Sequence, residues 1–343
     1  MRLLSHITRH FLTISLLLLV VTIFFSQSSL GHVNYVLTPE ERAKALRSNP
    51  LAGEMNVLAP EFFLLFGGLV AVQFLGLVLQ DHSLATRISS VLRRWGNLGH
   101  PVMRITSGAF LLSSGLTGTY FAPQLGIPIG SLSPVSLLEM ISGVSILLGV
   151  FTRAGALLFS ILFFYMFVPF GIFGLDQLYL LGIAIYLFAK GGGHFSVDKI
   201  FGRIGSFPVP ALIKDIPIHT ILRTLFGLNL IWLGLTEKLL QPQLTAEAII
   251  KFGVPYYPEL GLFIFLFGFF EIYLGFHLVL GLFVRLTSLV YLGLLISAVK
   301  LFGETVNHLP LFGTSIFLLL LGAGEYYTAV RLRSVKKDLA ADN

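Results

Sequence analysis

Apolar stretches close to membrane-spanning length recur ten times along the chain. A helix needs about 20 mostly apolar residues to cross a hydrocarbon core about 30 Å thick. Only 12% of the residues are charged while 55% are hydrophobic, so a soluble protein of this size would lack the polar side chains to cover its surface. The composition therefore predicts an all-α polytopic membrane protein in contact with the lipid bilayer. The predicted spans are 11–25, 62–79, 105–121, 133–150, 154–173, 177–189, 218–236, 260–284, 286–302 and 309–327.

Basic residues are divided unequally between the two sides of these spans. If the N-terminus is cytoplasmic, 17 of the 23 Lys and Arg residues lie inside and 6 lie outside. Because basic loops are retained in the cytoplasm, this distribution predicts a multi-pass topology with a cytoplasmic C-terminus. It also accounts for the net charge of +6 without nucleic-acid binding. The absence of cysteine excludes disulfides, iron–sulfur ligation and thiol catalysis by this chain.

The first apolar run has the features of a secretory signal. Arg2 and Arg9 precede it, and Ser29 and Gly31 supply the small residues of a cleavage site. Residues 1–31 are therefore either a cleaved signal peptide or a permanent anchor, in a prokaryotic plasma (inner) membrane. Cleavage would leave His32 at the mature N-terminus, where the amine and the imidazole together are a copper-binding candidate; an incidental histidine is the alternative.

A repeat divides most of the remaining chain into two related halves. Residues 139–153 and 271–285 share a Glu-xxx-Gly…Gly-xxx-Arg pattern, 132 positions apart without a gap, and the correspondence extends to Gly192 and Gly324. Upstream, residues 104–117 match residues 223–236 at an offset of 119. Each half contains four predicted spans, an even number, so both enter the membrane from the same side and the repeat is parallel.

At these residues the chain resembles the DoxX family of bacterial and archaeal four-helix membrane proteins. The resemblance rests on the Arg-led first helix ending in Gly-Leu-Thr-Glu-Lys at 234–238, on the Glu-xxx-Gly…Leu-Gly-xxx-Arg second helix, and on the Gly-rich exit at 191–198. The family includes a subunit of thiosulfate:quinone oxidoreductase and members associated with oxidative-stress enzymes. The resemblance implies two parallel four-helix transmembrane bundles. It is stronger evidence for the fold than for a particular reaction.

The predicted organisation combines these features with one extra span. It comprises the signal peptide or anchor at 1–31, a periplasmic segment at 32–61, an extra transmembrane helix and basic cytoplasmic loop at 62–100, a first DoxX-like unit at 101–203, a cytoplasmic linker at 204–217, a second DoxX-like unit at 218–330 and a basic cytoplasmic tail at 331–343.

Two carboxylates inside the spans are the first functional candidates, because acidic groups in a membrane are costly unless paired or hydrated. Glu139 and Glu271 occupy the same place in the two halves, each 14 residues from the arginine at the inner end of its helix. That separation is about 21 Å along a helix, so each lies about 9 Å below the outer face. The alternative is a structural glutamate that hydrogen-bonds neighbouring helices.

The halves differ at the outer end, where the second is more polar. Glu271 can there be joined by Glu237, Lys238, Lys300, Glu304 and His308, whereas the same offsets give Gly118, Thr119, Val168, Ile172 and Asp176 in the first half. This difference predicts an outward-facing polar pocket in the second half only. Lys300 and Glu304, four residues apart, can instead pair with each other.

These residues favour a membrane subunit of a quinone-linked redox system, in which Glu271, Lys238 and His308 handle protons and Glu237, Lys300, Glu304 and Glu139 contribute to binding. No redox centre is evident in the chain, so quinone is the one cofactor suggested, and electrons would come from a membrane or periplasmic partner or from the substrate. Two alternatives remain open: a proton-coupled or small-solute transporter, and a non-catalytic assembly subunit for a partner enzyme. A homo-oligomer is also compatible with the sequence.

Overall fold

The computed structural model describes residues 37, 39–48, 83–121, 133–193, 195–200, 217–254, 259–302 and 306–324, and their regular structure is helical. The predicted spans at 11–25 and 62–79 and the residues His32 and Glu304 lie outside this part of the chain. The helices are α1 (Pro39–Ser48), α2 (Ser83–Arg94), α3 (Gly96–Thr117), α4 (Pro134–Leu148), α5 (Thr152–Tyr165), α6 (Phe167–Phe170), α7 (Leu178–Lys190), α8 (Val197–Ile200), α9 (Ile218–Leu233), α10 (Pro242–Phe252), α11 (Leu260–Leu280), α12 (Val284–Phe302) and α13 (Leu309–Leu321). A 3-10 segment, Gly171–Gln177, precedes α7, and a π-helical segment, Gly234–Leu240, extends α9.

Several of these helices are suited to a bilayer. Three helical stretches in the described residues are long and apolar enough to cross a membrane: Thr152–Pro169, Ile218–Leu240 and Leu260–Leu280. Helices α4 and α13 are apolar but shorter. Large apolar side chains face outward, among them Phe164 and Val168, which is 76% exposed. The helical, membrane-embedded class predicted from composition is therefore confirmed, and α3 begins nine residues before the predicted span at 105.

Eight long helices pack in a closed order. Each contacts the next around a ring: α3 on α4, α4 on α5, α5 on α7, α7 on α9, α9 on α11, α11 on α12, α12 on α13, and α13 back on α3. The first four helices of the ring come from the first half of the chain and the last four from the second. Both halves therefore use the same succession of neighbours, and each half's last helix contacts the other half's first.

Glycine sets the distance between the first two helices of each half. A Cβ added to Gly143 on α4 would lie 2.5 Å from the backbone nitrogen of Leu112 on α3. At the corresponding place, a Cβ on Gly275 of α11 would lie 2.6 Å from the backbone oxygen of Gly227 on α9. Only a hydrogen atom fits at such a contact, so these residues bring the helix backbones together, as small residues do in membrane interfaces.

The turn after the second helix has the same backbone in both halves. Gly149 and Gly281 have φ values of 71° and 72°, and two residues later Phe151 and Phe283 have values of 50° and 45°. A bulky non-glycine residue in this left-handed region is uncommon, so its occurrence at both turns is a specific likeness between the halves.

The glycine-rich turns that follow α7 and α13 correspond at an offset one residue shorter than the 132 residues that the sequence pattern predicted. Gly191 and Gly193 have φ values of 70° and 73°, and Gly322 and Gly324 have values of 78° and 77°. The backbone therefore aligns these turns at an offset of 131, and Gly324 corresponds to Gly193, so the predicted pairing with Gly192 is wrong.

One end of the ring, here called the arginine end, is built on arginine contacts to the backbone. Arg104 donates from Nη2 to the carbonyl of Phe195 at 2.6 Å. Arg285 donates to the carbonyls of the last turn of α13, including Leu319 at 3.2 Å. The Arg285 guanidinium thereby satisfies carbonyls that the helix end leaves without partners. Asp198 likewise accepts from the first N–H groups of α5.

The opposite end, here called the cap end, carries two short helices over the second half. Leu37, which precedes α1, and Ala45, within α1, are buried against Leu244 and Ile249 of α10. Two ion pairs join the same helices: Lys251 with Glu41 at 2.8 Å, and Lys44 with Glu247 at 3.8 Å. The N-terminal segment is thus held against α10, which lies in the longer loop of the second half.

The glycine contact between α9 and α11 generates a stability prediction. We expect Gly275→Ala to lower the free energy of unfolding by about 1–3 kcal/mol, the usual cost of overpacking. Gly293→Ala on α12 is the matched control, since a Cβ there would meet no atom within 4 Å. Thermal unfolding in detergent measures both. Equal midpoints for the two variants would contradict the close approach.

Candidate functional site

A lysine is buried between two carboxylates at the junction of α9 and α11. The Lys238 ammonium nitrogen lies 2.9 Å from Oε2 of Glu271 and 3.2 Å from Oε2 of Glu237. The side chains of Lys238, Glu237 and Glu271 are 1%, 5% and 8% exposed. These three residues, called the Lys238 cluster below, are the part of the predicted polar pocket that the structure brings into direct contact.

The π-helical segment lets two adjacent residues share one partner. Neighbouring side chains on an α-helix point in different directions and do not meet. Glu237 and Lys238 lie within Gly234–Leu240, where the widened turn changes that relation, and such segments are frequent at functional sites. The sequence pattern gave no sign of this distortion.

Glycine on α11 brings the second carboxylate into reach. A Cβ on Gly268 would lie 2.8 Å from Cβ of Lys238, so the lysine stem passes directly over the α11 backbone. Glu271 is three residues further along α11, on the same face, and meets the ammonium group. The ring of Phe267 lies 5.8 Å from the Lys238 nitrogen and adds a cation–π contact.

Two tyrosines that the sequence reasoning missed lie around this cluster. Tyr291 of α12 is 5% exposed and interacts electrostatically with Glu271, Glu237 and Tyr179. The ring of Phe226 contacts both tyrosines, with centroids 5.3 Å from Tyr291 and 6.4 Å from Tyr179. The Tyr291 hydroxyl adds hydrogen-bonding capacity beside the cluster.

A signal for Tyr291 was present in the sequence. At the repeat offset of 132, Tyr291 corresponds to Phe159, so it is another position that is polar in the second half and apolar in the first. The difference in polarity between the halves therefore includes tyrosine as well as charged residues and histidine.

Helix α10 covers the cluster from the cap end. The Thr245 hydroxyl donates to the backbone carbonyl of Glu237 at 2.8 Å, which ties α10 to the π-helical segment. Because α1 is held on α10 by Lys251 and Lys44, the N-terminal segment and α10 together form a cover over this side of the site.

The remaining predicted residues have different surroundings. Lys300 is exposed near the end of α12, and its predicted neighbour Glu304 is outside the described residues. His308 is 1% exposed and immediately precedes α13. Among described residues there is no group of three or more His, Asp or Glu arranged to hold a metal ion.

Glu139, the counterpart of Glu271, has partners from its own half. It is fully buried and accepts from the backbone N–H of Phe121 at 2.9 Å and from the Ser114 hydroxyl at 3.2 Å. Thr119 occupies the position that Lys238 has in the second half. Glu139 therefore secures the end of α3 and the following turn, which is the arrangement that the structural alternative predicts.

The buried ion pairs lead to a prediction about stability. Lys238→Met would leave two buried carboxylates without their cation, and we expect a loss of about 3–5 kcal/mol in the free energy of unfolding. Adding Glu271→Gln should recover much of that loss, because one of the two uncompensated charges is removed. Lys300→Met, at an exposed lysine, should change stability by less than about 0.5 kcal/mol. Chemical unfolding in detergent tests all three; equal effects at the two lysines would contradict the burial of Lys238.

The cover generates a second prediction. Lys251→Glu would face Glu41 with a like charge, and we expect faster tryptic cleavage of residues 39–48 in the folded protein. Lys300→Glu, at an exposed lysine outside this ion pair, is the control and should leave the cleavage rate unchanged. Mass spectrometry of the released peptides measures it. Unchanged cleavage in Lys251→Glu would show that α1 is not held by this contact.

Comparison with known proteins places the site within a recognised domain. Residues 218–304 match the model of the DoxX family, and this stretch contains all three residues of the Lys238 cluster. No curated protein and no solved structure gave a match. The family match and the apolar helices together support a DoxX-like membrane protein, with the DoxX domain in the second half of the chain.

Proposed function

We propose that the chain is a tandem duplication of the DoxX unit, with one four-helix bundle in 101–203 and another in 218–330. The common order of helix neighbours and the left-handed phenylalanines at 151 and 283 support this proposal. The arginine end faces the cytoplasm of a prokaryotic inner membrane and the cap end faces the periplasm, as the excess of basic residues at the former favours. The first bundle serves as scaffold for the second.

We propose that the second bundle is the active part of a quinone-linked redox system, with the Lys238 cluster as its proton-handling site. One observation carries this proposal: two carboxylates and one ammonium group are buried together. With both carboxylates ionised the cluster has a net charge of −1, which is costly in a low-dielectric region. When the two carboxyl groups share one proton, the cluster is neutral. The cluster can therefore take up and release a proton inside the membrane.

The surroundings fit a quinone better than a charged substrate. A quinone headgroup is flat and largely apolar, with two carbonyl oxygens that accept hydrogen bonds. Phe226 and Phe267 supply aromatic surface beside the cluster, and the Lys238 ammonium and the Tyr291 hydroxyl are donors. Quinone reduction consumes two electrons and two protons. The protons pass through the Glu271 carboxyl group and the buried His308, and the electrons come from a partner or a reduced substrate.

The test is whether a quinone is bound at this site. The full chain is purified with its native lipids, and bound small molecules are identified by mass spectrometry. We expect a quinone with the wild type and at least about tenfold less with Glu271→Gln, since a lost charge-assisted hydrogen bond is worth about 1.5–3 kcal/mol. Glu139→Gln is the matched control at the equivalent position of the first bundle and should retain the quinone. Equal quinone content in both variants, or none in the wild type, would contradict the proposal.

Proton-coupled transport is the second candidate, and the cover formed by α1 and α10 favours it because alternating access requires closure on one side. Vesicles containing the protein would then take up a small solute in response to a proton gradient, and Glu271→Gln would abolish the uptake. A redox subunit shows no such uptake. A non-catalytic assembly role predicts instead that a partner enzyme keeps its activity with Glu271→Gln.

A further inference from the structure

An amphipathic helix at the arginine end has an apolar face with no protein partner among the described residues. Helix α2 ends at Arg94 and is followed after one residue by α3. Ile88, Val91, Trp95 and Leu98 are 53%, 50%, 59% and 38% exposed. They recur at the three- and four-residue spacing of one helix face, so they form a continuous apolar strip along α2 and the start of α3.

Basic residues flank this strip. Arg87 and Arg94 are seven residues apart and lie beside it on one edge, and Arg93 lies on the opposite side of the helix. All three are exposed. An apolar face with tryptophan and a basic polar face are the features of helices that lie in the plane of a membrane surface.

The location of α2 agrees with that placement. Helix α2 packs on α13 and α3, and the first turn of α3 contacts the last residue of α13, where Leu321 lies 3.1 Å from a Cβ placed on Gly96. These contacts hold α2 at the end of the ring, where the membrane-crossing helices leave the hydrocarbon. The strip is also continuous with lipid-facing side chains of α3, beginning at Ile105, which is 44% exposed.

The positive charge around α2 favours anionic lipids. Arg93 is near enough to Arg285 for their like charges to interact, and the Arg285 guanidinium is occupied with backbone carbonyls rather than a carboxylate. An anion between these side chains would relieve the repulsion. We propose that α2 lies in the membrane interface with its apolar strip inserted between acyl chains, and that Arg87, Arg93 and Arg94 bind the phosphate groups of anionic lipids.

The test uses the fluorescence of Trp95 in the full chain. The protein contains two tryptophans, Trp95 and Trp232, so the difference between the wild type and Trp95→Phe isolates the signal of Trp95. The protein is reconstituted in vesicles of phosphatidylcholine with about one third phosphatidylglycerol, so that the surface has the negative potential that attracts basic segments. Either the phosphatidylcholine or the phosphatidylglycerol has bromine atoms on its acyl chains close to the headgroup, and these quench a tryptophan in the membrane interface. Iodide in the buffer quenches a tryptophan that is exposed to water.

We expect brominated lipid to quench Trp95 and iodide to have little effect. Brominated phosphatidylglycerol should quench at least about twofold more than brominated phosphatidylcholine at equal mole fraction, because each arginine near the surface favours anionic lipid. Arg87→Gln/Arg94→Gln should abolish that preference and keep the quenching, whereas Arg47→Gln, at an exposed arginine of α1, should alter neither. Iodide quenching without lipid quenching would overturn the proposal and indicate a strip open to water or to a protein partner. Equal quenching by the two lipids in the wild type would overturn the anionic-lipid part.

Discussion

The contact of one lysine with two carboxylates governs the architecture of the second half of the chain. A buried ammonium group in a membrane protein is costly unless it is paired, and Lys238 has both Glu237 and Glu271 within reach. The π-helical segment allows the contact between Lys238 and Glu237. The absence of a side chain at Gly268 allows the contact between Lys238 and Glu271. Local distortion of α9 and close packing of α11 are therefore consequences of placing this lysine in the interior.

The first half has the same order of helices but no lysine at the position of Lys238, and its buried glutamate has different partners. Glu139 lies at the position of Glu271, yet it accepts only from a hydroxyl and a backbone N–H, beside Thr119 in place of Lys238. A single neutral carboxyl group can serve as a structural hydrogen-bond partner, whereas a cation between two carboxylates creates a site whose net charge depends on one proton. The difference in charge between these two sites thus depends chiefly on Lys238 and Glu237, which Thr119 and Gly118 replace in the first half.

The sequence was most informative where polar residues are rare. Charge scarcity predicted the membrane class. The cost of a carboxylate inside a span selected Glu271, and the difference between the halves selected Lys238 and Glu237, which the structure brings together with it. Spacing could not show that Lys300 is exposed, because a residue at a helix end can point inward or outward without changing the pattern. The π-helical turn and the cover formed by α1 depend on contacts between residues distant in sequence, such as Glu41 with Lys251, which local patterns do not contain.

The proposed function depends on the sharing of one proton between the two carboxyl groups of the Lys238 cluster. Infrared spectroscopy of the carboxyl stretching bands measures this directly, in a Glu139→Gln/Asp176→Asn background that removes two further carboxyl groups buried in the described part of the chain. We expect one protonated carboxyl band at neutral pH, which disappears in both Glu237→Gln and Glu271→Gln because the remaining carboxylate and Lys238 then form a neutral pair. The absence of a protonated carboxyl band at neutral pH would show that the two carboxyl groups share no proton.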